Sequence, residues 1–210
     1  MEIEIYADVV CPWCYIGKRR FEQALASYDG EVIVRYRPFQ LDPTPVTAPQ
    51  PLLDALAVKF GGRQRAEQMA GQVTQVAAGV GLTLNFDRAV SANTFDAHRL
   101  VRFADGHGRA GDVVEALYRA HFTDGVDVGS PEALVALAVS VELDGTETRE
   151  HLASNVGRRE VAADLAAAHQ LGVSSVPTFV LAGKYAVTGA QEPETLLAAL
   201  TEVNQRESAA

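Results

Sequence analysis

The N-terminal segment carries two hydrophobic patterns in succession. Residues 2–8 alternate polar and apolar side chains, and this period of two is typical of a strand with one buried face. Small and apolar residues then recur at helical spacing along one stripe, formed by Cys14, Gly17, Phe21, Ala24, Leu25 and Tyr28. Residues 31–37 are rich in β-branched side chains and predict a second strand. The chain therefore opens with a strand–helix–strand unit.

The C-terminal part predicts a hairpin and a closing helix. Residues 178–181 and 184–188 predict two antiparallel strands joined by a turn at Ala182-Gly183, and Pro193 opens a helix. Between the two β units the helical pattern dominates, over Leu52–Phe60, Arg63–Val80, Asn93–Asp105, Asp112–Phe122, Pro131–Val141, Thr146–Ser154 and Arg158–Leu171. These patterns predict an α/β protein with a large all-helical insertion.

Composition narrows the choice of partners and compartment. The 210 residues, 48% of them hydrophobic, can bury a full core. The 18 basic and 27 acidic residues give a net charge of −9, which argues against nucleic acid or an anionic membrane as a partner. No run of 18 apolar residues occurs, and Met1 leads directly into Glu2 and Glu4 without the features of a secretory signal. We therefore expect a cytoplasmic protein with no membrane span.

The chain contains two cysteines, Cys11 and Cys14, separated by two residues. A zinc site would need four ligands, usually including a second close pair. The five histidines, His98, His107, His121, His151 and His169, are scattered without metal-ligand spacing. The sequence therefore predicts no metal site, and the cysteine pair is either redox-active or two buried thiols that pack as small hydrophobes.

The predicted helix assigns different roles to the two sulfurs. Pro12 suits the first helical turn, which places Cys11 at the N-cap, where free amide groups and the helix dipole favour a thiolate. We expect Cys11 to be the exposed nucleophile. Cys14 lies one turn deeper on the buried stripe, where it is shielded but close enough to attack a mixed disulfide on Cys11. Cys14 is therefore the predicted resolving thiol.

Four neighbouring or distant residues have two interpretations each. Lys18 follows Cys14 by four residues and could help to hold a thiolate, or it could belong to a solvated basic face. Trp13 could contact substrate or pack against a loop. Asn93 and His98 could assist thiol chemistry, but a role in helix capping or packing is the preferred interpretation.

Four blocks of sequence, in order, resemble the FrnE-like branch of the DsbA family. They are residues 8–20 around Cys11-Pro12-Trp13-Cys14, residues 37–43, residues 93–100, and residues 172–180, which are followed by Gly189-Ala190-Gln191. The resemblance implies a thioredoxin-like fold. On this basis we predict a discontinuous thioredoxin-like domain, residues 1–40 and 158–210, and a helical cap domain, residues 41–157.

The resemblance also implies a function and a second site element. It implies a thiol–disulfide oxidoreductase in which Val176-Pro177 is a cis-proline loop that offers backbone to a substrate strand beside Pro12 and Trp13. The implied cofactor is the cysteine pair itself, with glutathione as a candidate reductant. FrnE-like proteins are associated with polyketide pathways as well as protein oxidation, so the substrate is a cysteine-containing protein or a small aromatic polyketide. DsbA itself has histidine where this chain has Trp13, which leaves redox direction and strength open.

Two other functions remain open from the sequence. The 2-hydroxychromene-2-carboxylate isomerases and kappa-class glutathione transferases are similar in fold and insertion, and a glutathione-dependent reaction of their type is the alternative. Those enzymes typically carry serine where this chain has Cys11 and need no second thiol, so Cys14 argues against this class. A non-catalytic binding module with unreactive thiols is the third interpretation. The oligomeric state is not fixed, and a homodimer would be unsurprising.

Overall fold

The computed structural model describes residues 1–209 as four strands, nine α-helices and one π-helical turn. The strands are β1 (Glu2–Ala7), β2 (Ile33–Pro38), β3 (Thr178–Leu181) and β4 (Tyr185–Thr188). The helices are α1 (Pro12–Leu25), α2 (Leu52–Phe60), α3 (Arg63–Gly79), α4 (Phe95–Asp105), α5 (Ala110–Arg119), α6 (Pro131–Ser140), α7 (Gly145–Ala153), α8 (Arg158–Gln170) and α9 (Pro193–Ser208). Ala210, the last residue of the predicted thioredoxin-like domain, lies outside the described residues.

The sheet has the strand order β2-β1-β3-β4. The first two strands are parallel, whereas β3 runs antiparallel to both β1 and β4. Ile5 at the centre of β1 faces Tyr36 on one side and Phe179 on the other. The parallel pair needs a crossover connection, and α1 provides it. The predicted α/β fold class and thioredoxin-like strand–helix–strand and hairpin units are therefore confirmed.

Alternation along β1 builds a core on each face of the sheet. Ile3 and Ile5 are buried in the main core, where Phe21 of α1 packs against Phe179 with ring centroids 5.2 Å apart. Tyr6 points to the opposite face and joins a small cluster with Phe39 and residues around the end of α8. Helices α1 and α9 pack against each other on the main-core side. The cysteine helix is therefore anchored along its length by apolar contacts.

One fully buried arginine organises the helices between β2 and β3. Arg99 lies in α4, and its guanidinium donates hydrogen bonds to the Asp96 carboxylate at 2.8 Å and to carbonyl groups at the end of α7 and just beyond. These carbonyls belong to His151, Leu152, Ser154 and Val156, at 2.8–3.1 Å. The arginine thus satisfies the carbonyl groups at a buried helix end that would otherwise lack donors.

Two helices differ from the sequence pattern by two residues or more at an end. The predicted helix 93–105 begins at Phe95, because the Asn93 side chain accepts the Phe95 N–H at 3.0 Å and holds the preceding residues outside the helix. The predicted helix 112–122 begins at Ala110 and ends at Arg119, and a π-helical turn, Ala120–Asp124, follows it. The turn closes where the Val126 N–H bonds to the Ala120 carbonyl after Gly125, which has a φ of 73°.

No helix within residues 1–209 is both long enough and apolar enough to cross a lipid bilayer.

Candidate active site

The two cysteines stand at the start of α1, as the sequence predicts. Cys11 is the N-cap residue and Pro12 the first helical residue. The Cys11 N–H donates to the Asp8 carbonyl at 3.0 Å, and the Cys11 carbonyl accepts the Cys14 N–H at 3.0 Å. Both side chains are free thiols. A tight turn after β1 therefore fixes the pair at one end of the sheet.

Cys11 is less accessible than the sequence predicts. Only 5% of it is exposed, against 2% of Cys14, so the expected exposed nucleophile is in fact largely covered. The cause is the loop before β3, since the Cys11 thiol donates to the Val176 carbonyl at an Sγ···O distance of 3.9 Å. Cys11 still lines an open groove, and Cys14 does not. The two cysteines therefore differ in position, since Cys11 contacts the groove and Cys14 is enclosed by protein.

Burial also changes the protonation equilibrium of the Cys14 thiol. It raises the pKa of the Cys14 thiol well above its usual value, and the hydrogen bond and charge of Cys11 raise it further. Cys14 therefore remains protonated at neutral pH and is a poor first nucleophile, because the thiolate is the reactive form.

The loop before β3 packs directly on α1. The Val176–Pro177 peptide bond is cis, the isomer implied by the family resemblance. Pro177 is buried against Gly17, where an added Cβ would lie 2.7 Å from the Pro177 Cγ. Only glycine at position 17 allows this approach. Val176 lines the groove beside Cys11, whereas Pro177 lies outside the groove and packs on Gly17 of α1.

A groove of about 460 Å³ opens beside Cys11. Trp13, 44% exposed, forms part of its lining together with Pro12 and Val176. The opposite wall comes from α2, α3 and the segment before α4, through residues that include Leu56, Phe60, Met69, Val73 and Phe86. The structure thus brings Cys11, Pro12, Trp13 and Val176 together in one concave surface.

Lys18 has a different environment from either interpretation of the sequence. It is buried, and its ammonium donates to Glu22 at 2.5 Å and to Glu115 of α5 at 2.6 Å. Arg19 joins the same two carboxylates. Lys18 and Arg19 therefore link α1 to α5, whereas Arg20 binds Glu192 and the Ala190 carbonyl just before α9. Both partners of the Lys18 ammonium are carboxylates.

Asn93 and His98 lie behind the motif. The Asn93 side chain donates to the carbonyls of Pro43 and Thr44, at 3.2 and 3.1 Å, and so holds the proline-rich loop, residues 39–51, between β2 and α2. The buried His98 places Nε2 3.0 Å from the Phe39 carbonyl and 3.5 Å from the Asp8 carboxylate. Both contacts are those of positioning residues, and neither residue lines the groove beside Cys11.

Two buried polar residues near the motif were not singled out from the sequence. Asp8 is 1% exposed; one carboxylate oxygen accepts the Leu41 N–H at 2.8 Å, and the other has no hydrogen-bond partner among the described residues. His121 lies in the π-helical turn, fully buried, with no partner for either ring nitrogen within residues 1–209. A charged residue at the end of an apolar strand was a usable signal for Asp8. His121 gave none, because a helical pattern does not reveal a π-helical turn.

Across residues 1–209, no three His, Cys, Asp or Glu side chains are grouped so that they could hold a metal ion.

A cysteine pair at the start of the first helix, beside a proline loop on a four-stranded mixed sheet, defines a class of thioredoxin-fold proteins. The family model for the DSBA-like thioredoxin domain matches residues 2–201, and the chain belongs to this family. The resemblance found in the sequence is therefore confirmed.

Similar proteins extend along nearly the whole chain. A probable DsbA oxidoreductase from Streptomyces coelicolor is 40% identical, over 96% of this chain and 89% of that one, with a TM-score of 0.90. A 2-hydroxychromene-2-carboxylate isomerase is 17% identical, over 100% and 98%, with a TM-score of 0.73. The cytosolic disulfide reductase DsbM from Pseudomonas aeruginosa, solved with GSH, is 22% identical, over 98% and 100%, with a TM-score of 0.65. The last two likenesses are of fold alone.

Proposed function

We propose that this protein is a thiol–disulfide oxidoreductase that uses Cys11 as nucleophile and Cys14 as resolving thiol. The observation that carries the proposal is the placement of Cys11 on the groove surface with Cys14 one turn deeper and out of the groove. Such a pair can meet a substrate with one sulfur and release it with the other. Trp13, Pro12, Val176 and Pro177 are the proposed substrate-contacting or substrate-supporting residues.

The reaction is a balanced two-electron exchange. In the reductive direction the Cys11 thiolate attacks a substrate disulfide, forms a mixed disulfide and expels one substrate thiolate, which takes up a proton. Cys14 then loses its proton and attacks the Cys11 sulfur, which expels the second substrate thiolate and leaves a Cys11–Cys14 disulfide. The substrate gains two electrons and two protons, and the protein loses them. The oxidative direction is the reverse.

The two sides of the groove come from different parts of the chain. We propose that residues 1–40 and 158–210 form the thioredoxin-like domain that holds the cysteines, and that residues 41–157 form a helical cap that supplies the opposite groove wall. Support comes from the origin of the lining, since Leu56, Phe60 and Met69 all lie in α2 or α3.

The compartment would decide the direction of electron flow. In the cytoplasm, the location expected from the sequence, the cell keeps most thiols reduced, so the pair would act as a reductant unless a dedicated oxidant served it. Glutathione is the proposed source of electrons. The fold shared with the cytosolic disulfide reductase from Pseudomonas aeruginosa is compatible with this direction.

Replacing each cysteine in turn tests the mechanism. We expect Cys11→Ser to lose at least about a thousandfold of the rate of insulin disulfide reduction, since no other thiol faces the groove. Cys14→Ser should instead accumulate a covalent mixed disulfide through Cys11, visible by mass spectrometry. Both variants should keep the wild-type circular dichroism spectrum. Insulin reduction by Cys11→Ser at the wild-type rate would refute the proposal.

The apolar groove also suits a small aromatic substrate, which keeps the glutathione-dependent isomerase or transferase as a second candidate. That reaction does not need a resolving thiol. Turnover of an aromatic electrophile with glutathione that survives Cys14→Ser would favour it over the redox function.

A further inference from the structure

The loop before β3 covers Cys11 but is weakly held by its own contacts. The hydrogen bond from the Cys11 thiol to the Val176 carbonyl is long, at 3.9 Å, and a thiol is a weak donor. The N–H groups of Ser174, Ser175 and Val176 donate no hydrogen bond within residues 1–209. Contacts elsewhere must therefore keep the loop over the sulfur.

Two contacts fix Pro177, the residue after Val176. Its ring packs on Gly17, which limits movement of the loop toward α1. Its carbonyl accepts the Gly189 N–H at 2.7 Å. Gly189 begins the β4–α9 turn, residues 189–192. Movement of the loop away from α1 would have to break this hydrogen bond or carry the turn with it.

Arg20 attaches the β4–α9 turn to α1. Its guanidinium donates to the Ala190 carbonyl through Nη1 at 2.6 Å and pairs with the Glu192 carboxylate through Nη2 at 2.7 Å. Only 12% of the Arg20 side chain is exposed, whereas 63% of the Glu192 side chain is. An exposed ion pair contributes little, and a charge-assisted hydrogen bond shielded from water contributes more. The bond to the Ala190 carbonyl is therefore the contact that fixes the turn.

These contacts form a closed ring. It runs from Arg20 to the β4–α9 turn, from Gly189 of that turn to Pro177, and from Val176 back to Cys11 at the start of α1. The link between Gly189 and Pro177 is made by backbone groups, whereas the link to α1 is made by the Arg20 side chain. A substitution at position 20 can therefore open the ring and leave the backbone bond in place.

Helix α9 is anchored independently of Arg20. Leu196, Leu200 and Val203 of α9 are buried in the main core. Loss of the guanidinium should therefore loosen the turn before α9 and leave the helix packed. Methionine is the suitable replacement, since it keeps most of the apolar stem of the arginine side chain.

We infer that Arg20 is a positioning residue for the thiol–disulfide reaction, an inference that rests on the proposed function. By holding the β4–α9 turn, Arg20 keeps Val176 over Cys11. This placement protects the Cys11 sulfur from small electrophiles. It also presents Val176, a proposed substrate-contacting residue, to a disulfide substrate at a fixed position.

Arg20→Met tests this role, because the two effects change in opposite directions. Alkylation of Cys11 by iodoacetamide should become about tenfold faster, since one charge-assisted hydrogen bond no longer stabilises the covered state. Cys14 lies outside the groove and should react as slowly as in wild type, which peptide mass spectrometry measures. Insulin reduction should lose about tenfold in kcat/KM, mainly through a higher KM, because Val176 is no longer held in place.

Further variants assign the effect to the bond with the Ala190 carbonyl. Arg20→Gln, with a shorter and neutral side chain, should behave as Arg20→Met does, and Arg20→Lys should restore most of both wild-type rates. Glu192→Gln removes the exposed ion pair alone and should leave both rates unchanged. Arg19→Met is the matched control, because Arg19 pairs with Glu22 and Glu115 and not with the turn. It should also keep both wild-type rates.

The outcomes separate this inference from the proposed function. A wild-type rate of either Cys11 alkylation or insulin reduction in Arg20→Met would overturn the inference. Equal acceleration of alkylation at Cys11 and Cys14 would also overturn it, since that result indicates a general loosening of the fold. Both results retain the oxidoreductase if Cys11→Ser abolishes insulin reduction. Insulin reduction that Cys11→Ser leaves unchanged would instead contradict the proposed function itself.

Discussion

Two fully buried basic side chains in the helical part of the molecule differ in their hydrogen bonding. Arg99, between α4 and the end of α7, donates to four backbone carbonyls and one carboxylate. His121, in the π-helical turn, has no hydrogen-bond partner for either nitrogen among the described residues. The first region is a completed polar network, and the second contains an uncompensated polar group.

The contrast shows that one buried basic group stabilises the fold and the other costs stability. A buried charge is tolerated only when it is paired and hydrogen-bonded, and Arg99 meets both conditions. His121 meets neither, and burial lowers its pKa to about 4, opposed in part by the negative charge of Asp8. It is therefore neutral in the folded protein at neutral pH. The unsatisfied region is the one next to the cysteine motif.

Replacing Arg99 is the strongest way to disturb this contrast. Arg99→Met would leave several buried carbonyl groups without donors and Asp96 without its closest cation. We expect the free energy of unfolding to fall by about 3–5 kcal/mol, measured by urea denaturation at pH 7. Arg102→Met is the control, because that exposed side chain forms one surface ion pair with Asp164, and it should cost less than about 1 kcal/mol. A loss below 1 kcal/mol for Arg99→Met would show that its network is not needed.

Lowering the pH should reduce the free energy of unfolding, because the buried His121 cannot easily take up a proton. Above pH 6.5 the side chain is neutral in both states, whereas between pH 6.5 and about 4 the unfolded chain binds a proton that the folded protein excludes. Stability should therefore fall as the pH falls through this window. The two pKa values, 6.5 and about 4, correspond to about 3 kcal/mol when the window has been crossed. Urea midpoints at pH 7.0, 5.5 and 4.5 measure it.

Replacing His121 itself should have the smallest effect at neutral pH and should remove part of the acid sensitivity. His121→Leu substitutes an apolar side chain of similar volume for a buried group without partners, so we expect unfolding free energy at pH 7 to change by less than about 1 kcal/mol. The decline between pH 6.5 and 4.5 should be smaller than in wild type. A decline of the same size in both proteins would assign the acid sensitivity to other groups.

Local sequence signals located the fold and the centre of the site. Pro12 marks the start of α1 through its covalent geometry, as predicted. The predicted helix at Pro131 also begins there, where the Ser130 hydroxyl accepts the Ala133 N–H at 3.4 Å. The alternation along β1 and the stripe on α1 placed the cysteines at a strand-to-helix junction, where the structure has them. Each of these signals depends only on residues that are close together in the sequence.

Features that depend on distant parts of the chain were not predictable in this way. The covering of Cys11 comes from Val176, 165 residues away, and the burial of Lys18 depends on Glu115, 97 residues away. The groove wall formed by α2 and α3 also needs the packing of separate helices. Local patterns do not show which of these residues meet, and only the family resemblance placed the Val176-Pro177 loop beside the cysteine motif.

The close packing of Gly17 against Pro177 has a mechanical consequence. Because carbon atoms are already in contact there, the segment that carries Val176 cannot move closer to α1, and steric repulsion sets its closest approach to the Cys11 sulfur. Salt and moderate acidity, which weaken ion pairs, should therefore not narrow the mouth of the cleft.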